Sequence, residues 1–214
     1  MSRGHVTGLD MNPGMLAIAR ATPTEGSVIA WLEGSALDLP FRSEAFDVVF
    51  CQLGLQFFPD QGKAVSEMHR VLKPKGRVAL SVYSAIERTP GAYAFVLALE
   101  NVIGPEASRI KRGEHCFTEP TQLEVLLAGA GFVAVYVHTV EQTIVFPSVL
   151  DYVRFQLFAT PMTVLLRDRS EHERQVIISA IENRITALAS QRMLEWGRFT
   201  FQQQAYVAIA HRSH

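Results

Sequence analysis

The stretch VTGLDMNPGML, from Val6 to Leu16, ends a short apolar run in an acid and opens a helix behind it with Asn-Pro. The second strand of a nucleotide-binding α/β sheet ends in this way, with a carboxylate at its carboxyl end. Taken alone, Asp10 reads equally well as an aspartate that stabilises a turn. The other chemistry-bearing residues also stand at the ends of apolar runs. Cys51 and Gln52 close the run that begins at Ala45, and Tyr83 closes RVALSVY. Cys51 has no basic neighbour in sequence that would lower its thiol pKa, which weighs against a nucleophile. His115, in KRGEHCF (Lys111–Phe117), and Tyr83 are the candidate general bases, the bland reading of His115 being a surface histidine. Cys51 and Cys116 are the two cysteines, and nothing around them has zinc-ligand spacing, so neither a metal nor a disulfide framework is expected.

The elements that must position these residues alternate along the first part of the chain. Val6–Asp10 reads as a strand, and a helix follows in which Asn12 caps, Pro13 takes the first position, and Met15, Leu16 and Ala19 share a face. Thr22–Ser27 is loop chemistry, Val28–Leu32 a second strand and Gly34–Phe41 a loop. Ala45–Cys51 is the continuous apolar run of a parallel strand covered on both faces. Asp60 caps the next helix, with Ala64, Met68, Val71 and Leu72 on one face, and Lys73–Gly76 turns the chain into the strand Arg77–Tyr83. This alternation predicts an α/β fold with a doubly wound, mostly parallel sheet.

The remainder reads differently. Tyr93–Val102 is helical, Lys111–Phe117 an irregular loop and Pro120–Ala130 a helix ended by Gly131, with the strand Phe132–Val140 behind it. Helices follow at Ser148–Ala159 and after the capping box Ser170 to Glu173, whose Ile178, Ile181, Ile185 and Leu188 form a stripe. A last antiparallel strand, Phe199–Ala210, is expected beside Arg77–Tyr83. The two helices before it form an insertion at 147–195 that suits a lid over the substrate side or a homodimer face. The expected organisation is one domain over 1–214, with a cofactor-binding part at 6–83, helices and a substrate loop at 84–131, and the last two strands at 132–214.

The chain has 214 residues, 48% apolar and 19% charged, with a formal charge of −1. A single core without staples is affordable at this length. The charge balance argues against a nucleic-acid partner, because no basic stripe is available to neutralise phosphates. No signal peptide or membrane span is legible, so the expected setting is cytoplasmic, with no membrane partner.

Four strings taken in order, TGLDMNPGML, GSALDLPF, FDVVFCQLGLQFFPD and EMHRVLKPKGRVALSVY, resemble class I S-adenosylmethionine-dependent methyltransferases. The nearest group is the small-molecule methyltransferases of quinone biosynthesis, and the resemblance is strong over Val6–Tyr83. It implies S-adenosyl-L-methionine as cofactor, a Rossmann-like fold, and methyl transfer to a small-molecule acceptor by in-line displacement. It also implies that Asp10 holds the ribose hydroxyls, a carboxylate being suited to accept two hydrogen bonds from a diol. Met11 would lie along the adenine. Ser35 stands where the family has an aspartate that accepts from the adenine amino group, and the Ala36 N–H would face a ring nitrogen. Carbonyls near Cys51 and Gln52 would hold the methionine amino group. Phe57 and Phe58 would wall the substrate pocket or pack.

The family's order 3-2-1-4-5-7-6 puts a first strand and a Gly-x-Gly loop at the sheet centre, and neither is read in this sequence. Weaker cofactor binding than in a complete member is therefore expected. Two other functions compete. One is a nicotinamide-dependent reductase, against which no tyrosine here has a lysine four residues on. The other is a non-catalytic binding or oligomerising protein, or an inactive fragment, with a methyltransferase fold.

Overall fold

The computed structural model describes residues 4–23 and 28–213. Most of the Thr22–Ser27 loop expectation therefore falls outside the described residues. The first unit is β1 (Val6–Asp10), α1 (Pro13–Ala21) and β2 (Ile29–Glu33), with β1 and β2 paired in parallel. Asn12 caps α1, its side chain accepting from the Gly14 N–H at 2.8 Å. Gly8 is required in β1 because the Trp31 ring crosses it, leaving a Cβ there only 2.1 Å from a ring carbon.

A second ladder runs β3-β4-β6-β5, built from β3 (Phe46–Gln52), β4 (Leu72–Tyr83), β5 (Phe132–Phe146) and β6 (Phe199–Arg212). β3 and β4 are parallel, whereas β6 lies antiparallel between β4 and β5. The last strand therefore inserts between two others, as its sequence predicted, and among β3 to β6 it alone runs against the common direction. The order of the larger ladder agrees with the family's 4-5-7-6, and among the described residues β1 and β3 belong to separate ladders and do not pair with each other.

Two helical layers cover the larger ladder. α2 (Gln61–Val71) and α5 (Pro120–Gly129) pack on one face, where Ala64, Met68, Leu123 and Leu127 meet Val78, Leu80, Tyr206 and Ala208. On the other side α3 (Pro90–Val102), α6 (Val149–Ala159) and α7 (Glu171–Leu188) share a core with Phe199 and Phe201. Alternation along β6 sends these two sets to opposite faces. The stripe Ile178, Ile181 and Ile185 is buried in that second core. Leu188 at its end is 38% exposed.

Several expectations change in detail. β4 begins at Leu72, and Lys73–Gly76 is an outward bulge within it rather than a turn before it. The pairing jumps from Phe46↔Leu72 to Val48↔Arg77, and Lys75 takes a left-handed φ of 64°. Lys73 Nζ clamps the bulge by donating to both Asp47 carboxylate oxygens, at 2.9 and 3.0 Å. Lys111–Phe117 is not wholly irregular, because α4 (Arg109–Gly113) occupies its start, and β5 continues to Phe146 through pairing with β6. β3 is not covered on both faces: Phe50 is 77% exposed, because nothing among the described residues lies against its open side.

Candidate functional site

The predicted cofactor residues lie at or just beyond the carboxyl ends of β1, β2 and β3, the ends at which open α/β sheets take their ligands. At the end of β1, Asp10 Oδ1 accepts the Asn12 N–H at 2.8 Å. The turn-stabilising role is thus real, and it occupies one oxygen only; the other has no partner among the described residues. Met11 beside it is 74% exposed. The Asp10 carbonyl accepts the Gly34 N–H at 3.0 Å, which brings Gly34-Ser35-Ala36 next to the carboxylate. Ser35 Oγ accepts from the Leu37 N–H at 3.1 Å and so shapes its own turn. The Ala36 N–H makes no bond among the described residues.

A clamp that the sequence did not reveal holds this loop in place. Glu67, buried on α2, accepts the Leu39 N–H at 2.9 Å. Arg70, one turn on, donates to the Phe41 and Leu39 carbonyls at 2.8 and 3.0 Å and pairs with Glu67 at 2.8 Å. The Arg70 hydrogen bond, and the Leu39 N–H after it, hold the Glu67 carboxyl down at about 2 despite its burial. The i, i+3 spacing of an acid and an arginine within SEMHRV was the available signal.

Beyond β3 the chain turns sharply. Leu53 adopts φ 50°, a left-handed conformation that costs a leucine about 1–2 kcal/mol. Two bonds hold it there: its N–H reaches the Ser81 carbonyl at 2.9 Å and Ser81 Oγ at 3.2 Å. Strained backbone held by neighbours is common where a chain serves a ligand. Cys51 is half-buried, and burial raises its thiol pKa, so it stays protonated and is no nucleophile. Gln52 and Leu53 open onto a cavity of about 730 Å³.

That cavity is bounded by the β4–β6–β5 face, by α4 and, opposite the sheet, by α6. α6, in the insertion after β5, therefore lines the same cavity as Gln52. Its walls are largely apolar, with Phe57, Phe146, Phe155 and Phe201 among them, whereas Phe58 packs into the core instead. Tyr83 is on the wall; burial, and next the Glu114 carboxylate, push its pKa up, so it is a phenol and not a phenolate. His115 is not on the wall. It is 4% exposed, stacks on Tyr83 with ring centroids 5.1 Å apart, and lies 2.7 Å from the Ser84 carbonyl through Nδ1. A carbonyl only accepts, so Nδ1 carries the proton and donates it. Burial lowers the His115 pKa to about 4, so it is neutral and a weak proton acceptor at neutral pH. Both base candidates are thereby disfavoured as proton acceptors.

In their place the cavity presents two charged residues that the sequence reading passed over. Lys111 Nζ donates to Glu114 Oε2 at 2.7 Å, with side chains only 8% and 5% exposed. Their i, i+3 spacing became meaningful only once α4 was helical. Among the described residues no group of acidic, histidine or cysteine side chains could hold a metal ion.

The donor set at the strand ends suits an adenosine-type cofactor. A carboxylate with one oxygen unpartnered among the described residues could accept from a diol, the Ala36 N–H could donate to a ring nitrogen, and an exposed methionine could pack on an aromatic face. Residues 1–80 match the family described as a methyltransferase domain. The demethylmenaquinone methyltransferase of Lactococcus lactis is 36% identical over 144 residues, which cover 62% of this chain and 57% of that protein. That of Listeria monocytogenes is 42% identical over 78 residues, covering 36% of this chain and 33% of its own length. The chain thus spans between a third and about half of the curated relatives it matches. A phosphoethanolamine N-methyltransferase 2 of Haemonchus contortus, solved with S-adenosyl-L-methionine, superposes with a TM-score of 0.54 at 17% identity over 98% of this chain and 44% of that one. That likeness is one of fold.

Proposed function

We infer, from residues 1–80 that match the methyltransferase-domain family and from a fold shared with class I S-adenosylmethionine-dependent methyltransferases, that this chain serves methyl transfer to a small-molecule acceptor. The observation that supports the reading is that a carboxylate and a loop suited to adenosine stand at the carboxyl ends of β1 and β2, and that a largely apolar cavity opens at Gln52, the carboxyl end of β3. Asp10 and Met11 would hold the ribose and cover the adenine. Ser35 and the Ala36 N–H would face the adenine edge, and the backbone around Cys51 and Gln52 the methionine end. When bound, the cofactor supplies a methyl group already activated on a sulfonium.

The protein's own share is alignment and exclusion of water, and alignment alone is worth ~7–11 kcal/mol in favourable cases. The Glu67–Arg70 clamp fixes the adenine loop, Leu53 sets the angle between β3 and the cavity, and α6 closes the acceptor side. We assign 6–83 to cofactor binding, 84–131 to the substrate loop and 132–214 to the lid-bearing part of a single domain. α7 would back the lid or serve a second copy. No helix among the described residues is long and apolar enough to cross a membrane, and we place the protein in the cytoplasm with a small-molecule partner and neither nucleic acid nor membrane.

The opposing reading, a binding protein with this fold and no turnover, draws on the edges of β1 and β3 that are unpaired among the described residues. Melting curves with S-adenosylhomocysteine, NADPH or neither separate the possibilities. A rise with the first alone is expected; a rise with NADPH, or none with either, removes the methyltransferase reading.

A further inference from the structure

A smaller cavity, of about 260 Å³, lies within the inserted helices and shares no lining residue with the larger one. Three segments meet around it. Phe158 comes from α6, Thr163 and Leu166 from the 3₁₀ segment Pro161–Leu166, with Arg167 directly behind it, and Arg174 from α7. On α6 the residues that line the larger cavity, Tyr152, Phe155, Gln156 and Ala159, repeat at helical spacing, and Phe158 stands off that stripe. The exposed Phe158 ring and the buried Leu166 are the apolar part of the smaller cavity.

Its polar lining is one hydroxyl and two guanidinium groups, with no carboxylate. Arg174 donates from Nε to the Leu166 carbonyl at 3.1 Å and from Nη2 to the Arg167 carbonyl at 3.2 Å. These bonds fix the guanidinium and leave its remaining N–H donors unused among the described residues. Arg167 makes no side-chain hydrogen bond or ion pair among the described residues. The neighbouring acids are engaged elsewhere or turned away. Glu173 accepts from the Ser170 N–H at 2.8 Å and hydroxyl at 2.7 Å and faces Arg169 at 3.8 Å. Glu171 accepts from Gln175 at 2.9 Å, and Asp168, next to Arg167 in sequence, is not on the wall. Two cations gathered on one small cavity repel each other, and an oxyanion between them turns that repulsion into two charge-assisted contacts.

We propose that Phe158, Thr163, Arg167 and Arg174 form a binding site for a small oxyanion carried on a flat apolar body, an aromatic carboxylate in type, and that its occupation latches α6 to α7. Guanidinium forks match the oxyanion, the Thr163 hydroxyl donates a further bond, and the Phe158 ring packs on the body of the ligand. Inorganic phosphate offers the same oxygens without a body for Phe158, and a neutral alcohol offers the body without the charge. Because Phe158 belongs to α6 and Arg174 to α7, a ligand that touches both ties the helix lining the larger cavity to its neighbour.

The test titrates the whole chain, without cofactor, with benzoate, inorganic phosphate and benzyl alcohol at constant ionic strength, following backbone amide shifts by NMR. Benzoate should saturate, move the amides of Phe158, Thr163, Arg167 and Arg174, and bind at least about tenfold more tightly than the other two. Arg167→Gln should weaken benzoate at least about tenfold at an unchanged melting temperature, because it removes no bond of the folded chain, and Arg167→Lys, which keeps the charge without the fork, should fall between. Saturating benzoate should slow hydrogen exchange along α6 in the wild type and not in Arg167→Gln. No saturable benzoate binding, equal binding of the alcohol, an affinity unchanged in Arg167→Gln, or shifts confined to the larger cavity overturns the site. Tighter binding of phosphate overturns the aromatic body, and binding that leaves α6 exchange unchanged overturns the latch. These outcomes are independent of the S-adenosylhomocysteine melting curves, which judge the methyltransferase reading by itself.

Discussion

Replacing His115 by phenylalanine keeps a ring against Tyr83 and removes the imidazole. In the folded chain burial holds this histidine at about 4, against an ordinary value of 6.5. Each pKa unit is 1.36 kcal/mol, so the gap corresponds to ~3 kcal/mol of pH-dependent stability. The sign follows from proton uptake. Between pH 6.5 and about 4 the unfolded chain binds the proton and the folded chain does not, so acid favours unfolding. The stabilisation is complete above pH 6.5 and is lost as pH falls toward 4. Glu67, lowered from 4.5 to about 2, enters only at the acid end of this window and does so equally in both proteins. His69, also lowered by burial, adds a slope of the same sign to both proteins. Urea unfolding at half-unit intervals from pH 7.5 to 4.5 should show the wild type losing ~2–3 kcal/mol more than His115→Phe. The variant starts lower at pH 7.5, because the buried Ser84 carbonyl loses its donor. Parallel curves for the two proteins would refute the neutral, Nδ1-protonated histidine, and a cationic His115 would again be available to the cavity chemistry.

Two further outcomes follow from the buried charges. Lys111→Met strands a buried carboxylate and should cost ~3–5 kcal/mol, whereas Lys111→Met/Glu114→Leu should recover most of it; thermal melts that show the double variant no better than the single one contradict a buried pair. Glu67 lies below its ordinary value, so it contributes stability above about pH 4.5 that is lost as pH falls toward 2. Glu67→Gln should flatten that acid limb and speed hydrogen exchange at Leu39, whose N–H would lose its charged acceptor.

How much of this was legible depends on the range of the interaction. Local signals read true: Asn12 and Asp60 cap their helices, the Ser170–Glu173 box closes on itself, and the β-rich segment Phe199–Ala210 enters the sheet where its alternation required. The strand-end candidates could be named because α/β topology favours ligands at the carboxyl ends of strands whatever the side chains are. Long-range pairing was not legible. Lys73–Gly76 has turn composition, yet it bulges out of a strand because Asp47 clamps it from across the ladder. Lys111 and Glu114 looked like loop charges because five residues of helix carry little periodic signal. Nothing local in Ser148–Ala159 announces that the Tyr152 hydroxyl and Gln156 Oε1 lack partners among the described residues. His115 was misjudged as a surface histidine because nothing local announces that Tyr83 covers it.

The most direct measurement of the central claim is a calorimetric titration of the chain with S-adenosylhomocysteine, repeated on Asp10→Asn. Asparagine keeps an oxygen for the Asn12 N–H and removes the charge that would grip the ribose. Charge-assisted bonds are worth ~1.5–3 kcal/mol each, so the variant should bind at least about tenfold more weakly at unchanged melting temperature. The predicted result is saturable one-to-one binding to the wild type and a clear loss in the variant. Equal affinity for the two proteins, or no saturable binding to the wild type, would contradict a cofactor site at the carboxyl end of β1.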